Sequence, residues 1–70
     1  MNIVSPAKSA SVPGVALTAA SLVLATLQNK LGGVMVASAV PNVAASSFTV
    51  NLNMAPAAGK TAVVAWFVVN

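Results

Sequence analysis

The chain contains no aspartate, glutamate, histidine, cysteine, arginine or tyrosine. Each absence removes a class of chemistry. There is no carboxylate or imidazole for general acid–base work. Without a thiol there is no cysteine nucleophile and no disulfide, so cysteine usage says nothing of redox compartment. A metal site would have to be assembled from amides and hydroxyls alone. Without arginine there is no planar fork for phosphate or a guanine edge. The expectation is a protein that is not an enzyme, holds no cofactor or metal, and acts by association.

Charge is scarce and of one sign. Lys8, Lys30 and Lys60 give a formal net charge of +3 with nothing acidic to offset it. They are dispersed along the sequence, whereas nucleic-acid binding needs clustered cations, so no nucleic-acid partner is expected. Lys30 and Lys60 read as solvated turn residues that keep an apolar protein soluble.

Apolar residues make up 59% of the 70 residues. A core in a chain of this size rarely supplies more than about 3–5 kcal/mol, and natural domains this small add disulfides, metals or partner subunits. With the first two excluded, an obligate homo-oligomer is expected. A spanning helix needs about 20 consecutive apolar residues. The best segment, Val15 to Leu27, is thirteen residues long and includes two threonines and a serine, so no membrane partner is expected. As a secretory signal the layout also fails, because the small-residue site Ala37-Ser38-Ala39 lies too far beyond the apolar run. With Met1 at its start, the chain is expected to be unprocessed.

Residues 1–14, with two prolines and three serines, read as an extended arm with a short strand at Ile3-Val4. Residues 15–70 read as one small domain. Within it, Val15 to Leu31 fits two patterns. Leu17, Ala20, Leu24, Leu27 and Leu31 fall at helical spacing with Gly32-Gly33 as a cap, yet Ser21 to Gln28 is also an apolar run of strand length. Val34 to Val40 is a compact apolar run stopped by Pro41-Asn42. Phe48 to Asn53 alternates, with Phe48, Val50 and Leu52 on one side and Thr49, Asn51 and Asn53 on the other, the signature of a strand with one buried face. Met54 to Lys60 reads as a turn. Thr61 to Val69 is apolar throughout and rich in β-branched residues, so both its faces are expected to be covered. Short runs between Gly/Pro turns predict an all-β fold, a small antiparallel β-sandwich or meander.

The order TAASLVLATLQN, VMVASAVPN, SSFTVNLN and terminal AVVAWFVVN resembles the small β-structured modules at the C-termini of bacteriophage tail-fibre and related virion proteins. The likeness spans residues 17–70. It implies a strand over residues 19–28, a trimeric all-β module and a structural role in the virion. Because this chain carries its own Met1 and no long fibre, the expected role is a capsid decoration protein that trimerises and stabilises the shell. The alternative is a trimeric receptor-binding tip of a tail fibre or spike that recognises host glycans. The partners implied are further copies of the chain and the major capsid protein or another virion protein, on the outer capsid surface or a tail appendage.

Phe48, Val50, Leu52, Trp66, Phe67 and Val69 are the expected core and subunit-interface residues, the aromatics by packing rather than as a sugar platform. Ile3, Val4 and Lys8 are the expected capsid-docking residues of the arm. Two motif matches carry no chemistry. Ser5-Pro6-Ala7-Lys8 has the S-x-x-K spacing without the partner motifs of an acylase. Gly59-Lys60-Thr61 ends like a phosphate-binding loop, but Met54 stands where its first glycine belongs.

Overall fold

The computed structural model describes residues 1–69. Six strands run in the order β1 (Asn2–Val4), β2 (Ser9–Val12), β3 (Leu22–Leu27), β4 (Val36–Asn42), β5 (Ser47–Leu52) and β6 (Thr61–Val69), and there is no helix among the described residues. They form two antiparallel sheets, ordered β1-β6-β3 and β2-β5-β4. β5 and β6, each the central strand of its sheet, supply most of the core.

Both centres follow from period-two patterning. In β5, Phe48, Val50 and Leu52 are buried while Ser47, Thr49 and Asn51 point away. In β6, Ala62 and Val64 are buried on the same parity that brings Trp66 inward. Ile3 and Val34 complete one shared cluster with Phe48, Val50, Leu52, Ala62 and Val64. The edge of the Phe48 ring meets Trp66 at a centroid distance of 4.7 Å and an interplanar angle of 63°, an arrangement aromatic quadrupoles favour.

The segment that fitted two patterns is a strand. Val23, Ala25 and Leu27 face inward while Leu22 and Leu24 face out. A turn leads into it: the Thr18 amide donates to Ser21 Oγ at 2.7 Å and the Ser21 amide to the Thr18 carbonyl at 3.0 Å. Gly32-Gly33 is a turn between strands, with φ of 41° and 91°, values that a side chain would oppose. In β4 a bulge between Val36 and Ser38 lets Val36 face Leu52 and Ala39 face Val50, although their spacing of three would otherwise place them on opposite faces.

Residues 1–14, expected as an extended arm with a short strand at Ile3-Val4, carry two strands. β1 pairs with β6, aligning Ile3 with Ala62, and β2 pairs with β5, aligning Ala10 with Val50. The segment thus contributes an edge strand to each sheet. The physical reason lies in Ile3, whose side chain is only 1% exposed; burying it requires β1 to dock on β6. Prolines 6 and 13 fall outside the strands, where their missing amides break no ladder.

Candidate functional site: an uncovered apolar sheet face

The two sheets turn opposite kinds of surface outward. On β2-β5-β4 the outward positions are Ser9 and Ser11, then Thr49 and Asn51, then Ser38, Val40 and Asn42. This face is wet and internally bonded. Ser11 Oγ and Thr49 Oγ1 are 2.8 Å apart, and Asn51 Nδ2 donates to Ser38 Oγ at 3.1 Å.

The outward face of β1-β6-β3 is mostly dry: its outward positions are Leu22, Leu24 and Thr26, then Thr61, Val63, Ala65, Phe67 and Val69, then Asn2 and Val4. The register sets Leu22 opposite Val69 and Leu24 opposite Phe67. Val63 and Val4 extend the apolar strip toward β1. Leu22 is 64% exposed, Phe67 58% and Val4 57%, and Leu24, Val63 and Val69 also lie open. Together they present on the order of 500 Å² of apolar surface, in the range of the largest patch on an ordinary monomer. Here it sits on a molecule whose whole accessible surface is 4172 Å². Water contact over such an area is unfavourable by roughly 25 cal/mol per Å², so the face favours a covering.

The edge beside it is open as well. β1 aligns with β6 only from Thr61 to Val63, and the Val64 amide reaches the Met1 carbonyl at 2.8 Å. From Ala65 to Val69 the strand pairings run to β3 alone. Alternate backbone groups there point to the side that β1 does not reach, an arrangement that invites pairing with another chain.

The residues singled out from sequence divide by parity. Phe48, Val50 and Leu52 are core. Trp66 is inward on Phe48 and 36% exposed, whereas Phe67 and Val69 lie on the dry outer face. Neighbours on a strand point to opposite faces, so Trp66 and Phe67 do not form one aromatic platform. Of the expected docking residues, Ile3 is in the core, Val4 lies on the outer face of β1-β6-β3 and Lys8 is exposed.

Leu22, Leu24 and Val63 also belong to the face. Their sequence signal is apolar residues at both parities of β3 and β6, which a single buried face does not require. No helix among the described residues is long and apolar enough to cross a membrane. No protein-family model, curated protein or solved structure matches the chain.

Proposed function

We propose that the chain is a non-enzymatic structural subunit of a bacteriophage particle, a β-sandwich that assembles as a homotrimer and decorates the capsid. The observation that carries the self-association is the contrast between the two outer faces: one hydrogen-bonded and polar, the other mostly apolar, with Leu22, Leu24, Val63, Phe67, Val69 and Val4 exposed and only Asn2, Thr26 and Thr61 polar among them. Three copies can turn their dry sheets toward a common axis, each touching both neighbours, while the Ser/Thr/Asn faces remain in water. The placement in a virion is supported by the sequence resemblance given above.

The mechanism is associative. Apolar burial at about 25 cal/mol per Å² holds the oligomer. Binding to the assembled shell but not to free capsomers stabilises the shell by mass action. A receptor-binding tip is less well supported, because Phe48 is buried and Trp66 and Phe67 face opposite ways.

Native mass spectrometry of the purified protein, with mass-spectrometric analysis of separated heads and tails, tests the reading. A trimer mass and recovery with the heads are the expected results. A stable monomer at high concentration would remove the assembly, and recovery with tails alone would remove the capsid role.

A further inference from the structure

At one end of the molecule, the β3–β4 and β5–β6 connections enclose a groove of about 370 Å³, within the range of sites that hold small ligands or peptide side chains. Leu31, Val34 and Met54 supply apolar lining, and Lys30 and Lys60 also line it. Two of the three lysines, thirty residues apart in sequence, therefore meet at one apolar hollow.

Its walls are fixed by two asparagines. Asn29 Nδ2 donates to the Thr61 carbonyl at 2.9 Å, and Asn29 Oδ1 accepts from the Val63 amide at 2.9 Å, tying the first connection to β6. Asn53 Oδ1 accepts from the Met35 amide and Asn53 Nδ2 donates to the Gly33 carbonyl, both at 2.8 Å, tying the same connection to the end of β5. Turns closed by Val34 N to Leu31 O at 3.0 Å and Lys60 N to Ala57 O at 2.9 Å complete the rim. A groove held in this way costs little further ordering when filled, and the Met54 thioether adapts to irregular apolar shapes.

We infer that this groove binds a short peptide segment of another protein, one that combines an apolar side chain for the hollow with aspartate or glutamate for Lys30 and Lys60. The occupant's charge follows from complementarity. A foreign origin is favoured by composition: these 70 residues hold no Asp or Glu, so no carboxylate side chain among them supplies the anion from a second copy. The apolar lining argues against a bare inorganic anion, and there is no arginine fork for a phosphate. The inference rests on the structural-subunit reading only for the source of the segment, a shell protein.

The groove lies at the Thr61 end of β6, where Val4 and Val63 of the outer face are its neighbours, whereas Phe67 and Val69 lie near the other end, roughly 20 Å away at the rise of a strand. Substitutions at the two lysines and at Phe67 can therefore be tested apart. The probe is a capped hexapeptide alternating leucine and aspartate, with its leucine–asparagine counterpart as control, titrated into isotopically labelled protein and followed by amide chemical shifts. The acidic peptide is expected to bind about tenfold more tightly than the neutral one, to shift amides in 29–35 and 53–60, and to weaken as salt is raised.

The double variant Lys30→Gln/Lys60→Gln should lose that preference while keeping its strand-type circular dichroism. Equal binding of the two peptides, shifts confined to other segments, or undiminished preference in the double variant would overturn the inference. Binding to phosphatidylglycerol vesicles without binding to the peptide would overturn it in favour of a lipid surface. Because the double variant leaves Leu22, Leu24 and Phe67 intact, the oligomer mass in the same samples judges the assembly separately.

Discussion

Adjacent residues in this protein meet opposite environments, and that contrast makes single substitutions informative. Ile3 is sealed between the sheets while its neighbour Val4 lies open. Ile3→Ala should cost about 2–5 kcal/mol, a large part of the stability of so small a domain, whereas Val4→Ala should stay within about 0.5 kcal/mol for the isolated subunit. Urea unfolding of the two variants checks this. Equal effects would mean that β1 is not docked. Phe67 offers the complementary test. Phe67→Asp sets a charge opposite Leu24 on the dry face, where covering it without a partner is costly. The variant is expected to remain folded, since the native ring is already 58% exposed, but to sediment as a monomer. If the native protein proves oligomeric and the variant keeps its mass, the proposed interface is overturned.

At the scale of elements, the connections are better fixed than their glycines and alanines suggest. Asn53 bonds to both Met35 and Gly33, so Asn53→Ala removes two side-chain hydrogen bonds at once. A loss of about 1–3 kcal/mol is expected, together with faster amide exchange confined at first to residues 31–35; uniform loosening of both sheets would contradict this local role. The alternation of β5 was legible because its two faces differ in polarity. That of β6 was not, because Val63, Val64, Phe67 and Val68 read as apolar whichever way they point. The strand character of Leu22–Leu27 was equally hidden from periodicity. Its leucines fit a helical seam and a strand alike, and only the presence of β6 alongside, with Ala25 opposite Trp66, selects the extended form.

For the whole molecule, composition makes an unusual prediction about pH. The residue types whose side chains exchange protons between about pH 4 and 8 are absent. Folded and unfolded chains then bind equal numbers of side-chain protons, so only the chain termini can contribute to the linkage slope in that range. Stability of the purified protein should be nearly flat over that range in thermal or urea unfolding, and a steep acid transition would contradict it. Attachment to an acidic partner should behave differently. As the partner's carboxylates protonate near about pH 4, the attraction to Lys30 and Lys60 is lost, so release on acidification with the oligomer intact is the expected outcome of a pull-down across pH.

Composition and period alone show that carboxylate, imidazole and thiol side chains are missing, that β-structure is organised around the Phe48–Val50–Leu52 alternation, and that there is more apolar surface than one small core consumes. These are matters of residue type and period, which the chain carries locally. Which apolar residues are left over was decided only by the tertiary structure. Strand register, the β4 bulge and the docking of β1 on β6 fix parity, sending Ile3 in and Val4 out, Trp66 in and Phe67 out. The meeting of Lys30 with Lys60 is of the same kind. It depends on two loops that become neighbours only after both sheets have formed.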